Sequence, residues 1–197
     1  PLSLTGNLRK GNYVGNWGAH GNDIDLHNVK KPPLFQGMFG QDSAVKPSDI
    51  RDGLSNTIAL SEVLAVPFVD DCRGAWQLPV MGASGFASGS DDPNVDLHMT
   101  PNHLPNDSSG DRIPFCNNVI PCTTVANEGS ALQMPVALRA VMRLSQQRAA
   151  PRSYHPQGVH VAMADGSVRF VSDAVEEGVW TKTLTIKNQD PFDDKEF

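Results

Sequence analysis

Val159-His160-Val161-Ala162-Met163-Ala164-Asp165-Gly166-Ser167-Val168-Arg169-Phe170-Val171-Ser172 is the stretch that decides the fold class of this chain. Asp-Gly between two alternating runs specifies a β-hairpin with a two-residue type I′ turn, whose central residues both take positive φ. In the register that this turn imposes, Ala164 faces Ser167, Met163 faces Val168 and Val161 faces Phe170. Val161, Met163, Val168 and Phe170 then share one face, as a half-buried sheet requires. His160, Ala162 and Arg169 fall on the other.

Outward from the hairpin, residues 57–64 (Thr-Ile-Ala-Leu-Ser-Glu-Val-Leu) are β-branched, of strand length and preceded by the turn-rich Asp49-Ile50-Arg51-Asp52-Gly53-Leu54-Ser55-Asn56, so a second strand is expected there. Asn12-Tyr13-Val14-Gly15-Asn16-Trp17-Gly18 predicts one short strand in an otherwise Gly-, Asn- and Pro-rich opening. Residues 82–130 read as a long loop insertion, a length that in a compact domain usually serves function. Ala, Leu, Arg, Met and Gln predominate over 135–148, where Pro135 suits a first helical position, so one short helix is expected. The fold class that follows is α+β and β-rich. It comprises an antiparallel sheet with the Asp-Gly hairpin, long Gly/Pro/Asn-rich loops and one helix, in a single domain over 1–197.

Composition narrows the function classes. The 17 Gly and 15 Pro among 197 residues exceed the roughly 12% of average proteins, while charged residues reach only 19%, which favours short strands joined by ordered loops. The net charge is −6 and no Lys/Arg stripe is present, which excludes a phosphate-tracking nucleic-acid surface. Anionic membrane surfaces recruit basic clusters and are equally poor partners. No run approaches the ~18 apolar residues of a membrane span. Three cysteines occur. Cys116 and Cys122 enclose a loop short enough for a disulfide in an oxidising compartment, with two free thiols as the alternative. Cys72 is left over for a segment outside this chain. No second Cys/His pair stands at zinc-ligand spacing.

His155, nine intervening residues and then Asp165-Gly166 reproduce a recognisable pattern, continued by Gly166-Ser167-Val168-Arg169-Phe170-Val171. Upstream stand Asp52-Gly53-Leu54-Ser55-Asn56-Thr57 with Glu62, then Arg73-Gly74-Ala75-Trp76, with Asn12-Tyr13-Val14-Gly15-Asn16 before both. In this order the blocks resemble the bacterial prepilin-type H-X9-DG family, a domain of unknown function, over nearly the whole chain. Gln157 departs from the pattern, standing where the family commonly has a second Gly. The resemblance implies a pilin-like globular domain without catalytic residues. It further implies an exported, pseudopilin-like subunit of a cell-surface or secretion-related assembly of the type II secretion kind, in the periplasm, at the cell surface or outside the cell. Partners on this reading are proteins in a homo- or hetero-oligomer. Membrane contact runs only through an N-terminal segment that these residues do not include.

The residues of these blocks form the candidate site: Asp52, Gly53, Ser55, Asn56, Thr57, Glu62, Arg152, His155, Asp165 and Gly166. Their expected role is structural. Asp165 makes the turn, and His155 bonds the backbone where a strand begins. Ser153, His155 and Asp165 form a Ser-His-Asp triple on paper, but no nucleophile elbow surrounds Ser153. Strand parity puts Glu62 on the face of Ile58 and Leu60, where a buried carboxylate needs a donor, and Arg152 or His155 is the expected one. Asp107, Ser109 and Asp111 alternate oxygen side chains as calcium loops do, and Asp91, Asp92, Asn94 and Asp96 form a second acidic cluster. Pseudopilins hold a calcium-stabilised loop, so Ca2+ is the one cofactor the resemblance suggests. Two other functions compete: an extracellular module binding glycan or a small solute through Trp17, Trp76 and Trp180, and a hydrolase.

Overall fold

In the computed structural model of the chain, residues 8–20, 36–40, 43–89, 99–103, 110–117, 120, 122–124 and 147–187 are described. Seven strands occur among them: β1 (Tyr13–His20), β2 (Ile58–Glu62), β3 (Gly85–Gly89), β4 (Asp111–Ile113), β5 (Cys122–Thr124), β6 (Gly158–Met163) and β7 (Val168–Ser172). One α-helix, α1 (Glu177–Thr183), follows, and a single 3-10 turn spans Pro47–Asp49. The main sheet has the order β3-β1-β2-β6-β7, and β4 and β5 form a small parallel pair. The α+β, β-rich expectation is met, but the sheet is mixed, because β3 runs parallel to β1. Residues 82–130, expected as loop, contribute three of the seven strands. The helix expected over 135–148 lies outside the described residues except at its end, where Arg148 bridges Arg112 as extended chain.

α1 was not expected. Its signal is short: the Glu176 side chain accepts the Val179 N–H and so satisfies one of the unpaired donors of the first turn. Trp180 from this helix is buried against one face of the sheet with Phe86, Val159, Val161, Met163 and Val171. Its indole N–H donates to the carbonyl of Met99 at 3.0 Å. A second apolar cluster packs Trp17 with Cys72, Ala75, Met81, Ala87 and Ile113 around the β3 end. Gly74 belongs there by necessity, because its φ is +78° and a Cβ would lie 2.4 Å from the carbonyl of Gly11.

The hairpin forms, but one residue out of the expected register. Val161 pairs with Arg169 and Ala162 with Val168. The loop has three residues: Gly166 N–H donates to Met163, Met163 N–H donates to Ser167, and Gly166 takes φ +87°. Asp165 stays out of the positive-φ region, so this is a type I turn closed by a glycine bulge rather than type I′. Asp165 fixes it by accepting from both the N–H and the hydroxyl of Ser167. The backbone N–H groups of Ala164 and Asp165 dock on the carbonyls of Thr57 and Leu54. Val161 and Met163 keep their core positions. A one-residue slip turns every side chain of the second strand over, so Val168 and Phe170 stand 67% and 46% exposed on the opposite face.

Candidate functional site

A similar slip places Glu62. The register between β2 and β6 shifts between Ile58 and Leu60. Ile58 therefore reaches the helix-covered core, while Leu60 and Glu62 turn to the other face, which corrects the parity expectation for Glu62. Two cross-strand rows result. Gly15, Leu60, Ala162 and Val168 make one. Tyr13, Glu62, His160 and Phe170 make the next, with Tyr13 opposite Glu62 and His160 opposite Phe170.

Glu62 is only 7% exposed and is surrounded by donors. The His160 backbone N–H donates to Oε2 at 2.7 Å and the Tyr13 hydroxyl to Oε1 at 3.3 Å. The His155 Nε2 lies 3.2 Å from Oε1, and the His160 Nδ1 lies 3.7 Å from Oε2. The two imidazoles meet edge to face with centroids 4.7 Å apart, and His160 meets Phe170 likewise at 5.1 Å. Desolvation first, then the charge of Glu62 and its hydrogen bond, raises the Tyr13 phenol above its ordinary pKa. One ligand atom each from Glu62, His155 and His160 lies within 4.8 Å of the others, so these three side chains are placed to hold a metal ion.

Of the two side chains expected beside Glu62, only that of His155 reaches its carboxylate. Arg152 does not: its guanidinium grips both oxygens of Asp111 at 2.9 and 3.1 Å and donates to the carbonyl of His103. Only its backbone N–H reaches β2, at the carbonyl of Glu62. Asp111 in turn meets Arg73, which binds Asp71 at 2.6 Å. Asp71, Arg73, Asp111 and Arg152 are all buried, so two carboxylates and two guanidiniums form one closed chain of charge. Asp111, the described member of the expected calcium group, thus has its carboxylate engaged by Arg73, Arg152 and the Ala150 N–H. Asp107 and Ser109 lie outside the described residues, as does the cluster at Asp91, Asp92, Asn94 and Asp96.

The Asp52 to Thr57 block is a docking hub. Gly53 turns the chain at φ +98°, Asn56 bonds back to the carbonyls of Gly53 and Asp52, and Ser55 donates to Asn56. Asp52 and Thr57 both engage Thr185 beyond α1. Asp165, at the hairpin tip, is committed to Ser167, whose hydrogen bonds hold its carboxyl below the usual range. Ser153 donates to the carbonyl of Gly158 at 2.6 Å and accepts from the His155 N–H, so the Ser-His-Asp triple is not assembled. A Cys116–Cys122 disulfide is present and Cys72 is buried. Tyr13 and His160 went unrecognised as site residues. The only trace of His160 in the sequence is its place as the polar residue of the Val159-His160-Val161 alternation, on the face away from the core.

Beside this cluster Tyr13, Gly15, Trp17, Phe39, Leu60 and Trp76 line an apolar groove of about 420 Å³. Trp180 has no part in it, being fully buried in the core. Among the described residues no helix is long and apolar enough to cross a membrane. A family model described as a protein of unknown function, DUF1559, matches residues 3–178. No curated protein and no solved structure matches the chain.

Proposed function

Since this chain belongs to the DUF1559 family of proteins of unknown function, we propose that it is a non-catalytic, exported, pseudopilin-like subunit of a cell-surface or secretion-related assembly, working through the open face of its sheet. One observation carries this reading. Val168, Phe170, Leu60, Tyr13, Phe39 and Trp76 are all exposed, and the first four lie on adjacent rows of one sheet face. Contiguous exposed apolar surface on a folded domain marks an interaction site. The disulfide supports an oxidising compartment. The commitment of Ser153 and Asp165 to local hydrogen bonds supports a bracing role for these motif blocks over a catalytic one.

Site-specific photo-crosslinking from position 168 in cells tests this. Adducts with further copies of the chain or with other exported proteins are expected, and they disappear when Leu60→Lys is added. A chain that stays monomeric and uncrosslinked in its native compartment overturns the assembly reading. A second reading, an extracellular module for a glycan or small solute, draws on the groove with its two tryptophans. Saturable sugar binding that Trp76→Ala abolishes would favour it.

A further inference from the structure

We propose that Glu62, His155 and His160 bind a divalent transition-metal ion of the zinc class, with a coordination position left open to solvent. The site does not depend on the assembly reading. Three segments converge to build it: the end of β2, the turn ahead of β6, and the third position of β6 itself. Tetrahedral zinc with bonds of about 2.0–2.1 Å places its ligand atoms about 3.4 Å apart. His155 Nε2 lies 3.2 Å from one carboxylate oxygen and His160 Nδ1 3.7 Å from the other, and one ligand atom from each residue lies within 4.8 Å of the rest, so modest side-chain movement brings the set to such edges. The rings present different nitrogens, Nε2 from His155 and Nδ1 from His160, and stand nearly perpendicular at 83°. Both rings thus bring a nitrogen beside the carboxylate while meeting each other edge to face rather than stacked.

The surroundings are those of a prepared ligand set. Outer-shell hydrogen bonds orient metal-binding side chains, and Glu62 is oriented by the His160 N–H and the Tyr13 hydroxyl. The ring of His160 is steadied against Phe170. Burial differs across the set: Glu62 is sequestered, whereas the side chains of His155 and His160 are 50% and 38% exposed. An ion held there is buttressed from beneath and open from above, the pattern of zinc with three protein ligands and an exchangeable fourth. Two imidazoles and one carboxylate select zinc and its neighbours over calcium or magnesium, which take oxygen ligands. The fourth position takes water, or a donor side chain from whatever surface packs on this face. The proposal is distinct from any calcium at Asp107, Ser109 and Asp111. Sequence spacing does not reveal it, because the ligands come from positions 62, 155 and 160.

The test is a titration of the chelator-stripped chain with Zn2+ by calorimetry, and with Co2+ by visible absorption. One equivalent is expected to bind with a dissociation constant in the micromolar range or tighter, and Co2+ should give the intense d–d bands of a low-coordinate site. His155→Ala and His160→Ala should each weaken Zn2+ binding at least tenfold and abolish the Co2+ bands, while His103→Ala leaves both unchanged. Absence of saturable binding, or binding indifferent to both His155→Ala and His160→Ala, overturns the proposal. If either variant fails to fold, acylation of the unaltered protein by diethyl pyrocarbonate decides. Zn2+ should protect His155 and His160 from the reagent, and equal modification with and without Zn2+ overturns the site.

Discussion

Gln157 adopts φ +68° in the tight turn that delivers His155 to Glu62 and opens β6. A side chain with a Cβ is strained there by about 1 kcal/mol or more, whereas glycine is not. Gln157→Gly is expected to raise the melting temperature by a few degrees, the gain being partly offset by the freer unfolded chain. Two residues away, the interplay of His155 and Glu62 sets another order of effects. His155 is half exposed, and truncating it removes a pair worth at most about 1 kcal/mol. Glu62→Gln weakens the charge-assisted bonds from His160 and Tyr13 in a buried place, an expected loss of about 1.5–3 kcal/mol. Chemical denaturation of the metal-free proteins should rank them in that order; a His155→Ala variant less stable than Glu62→Gln would contradict it. Cys72 is shut in the core, and burial, as the largest cause, pushes its thiol up to about 12. Thiol reagents should therefore modify none of the three cysteines in the native protein, one after unfolding without reductant, and three after reduction. The expected pairing of Cys72 with a segment outside the chain does not suit so closed a position.

Between elements, the decisive join is the buried chain of Asp71, Arg73, Asp111 and Arg152. It ties the Arg73 block to the entry into β6 through Asp111 of β4. A buried ion pair adds little against well-packed apolar residues, but removing one partner leaves its neighbours as uncompensated charge. Asp111→Ala leaves Arg152 without its carboxylate, while Arg73 keeps Asp71, and a loss of about 3–5 kcal/mol is expected in urea unfolding. A value under about 1 kcal/mol would mean that solvent reaches the site. Acid should act on the same join. Burial alone would raise the Asp71 carboxyl, but the hydrogen bonds and charge of Arg73 and the Asn117 N–H outweigh it, so its pKa is lowered. A carboxyl depressed below its unfolded value of roughly 3.9 binds fewer protons folded than unfolded. The stability it contributes is thus fully present above that value and is lost as pH falls through the folded pKa. Unfolding free energies measured from pH 6 down to pH 2 should fall in the acid limb, and Asp71→Asn should flatten that limb.

At the scale of the molecule, α1 closes one face of the sheet and, among the described residues, the other is covered only at the β3 end, by the cluster around Trp17 and Met81. The open part carries the rows through Leu60 and Glu62. Val168→Lys is therefore expected to change stability by no more than about 0.5 kcal/mol, as surface substitutions do, and to reduce binding of an apolar dye to the native protein. Val161→Lys, on the closed face, should prevent folding. A destabilised Val168→Lys protein would restore the two-residue turn and its register.

The residues alone determined that a hairpin forms at Asp165-Gly166, that 57–64 and 12–18 hold strands, that Cys116 and Cys122 are suitably spaced to pair, and that Glu62 needs a donor. Each of these follows from information carried within a few residues: turn chemistry, alternation, loop length, the cost of a buried charge. Which face those strands present was decided elsewhere. The glycine bulge wins because the carbonyls of Leu54 and Thr57 receive the hairpin tip, and the bulge between Ile58 and Leu60 turns Glu62 toward Tyr13 and His160. A single extra residue reverses a strand's period-two pattern, and whether it is inserted depends on hydrogen bonds from segments about a hundred residues away in sequence. The strands at 85–89, 111–113 and 122–124 were hidden for a related reason: short and flanked by glycine and polar residues, they are held by neighbours rather than by their own propensity.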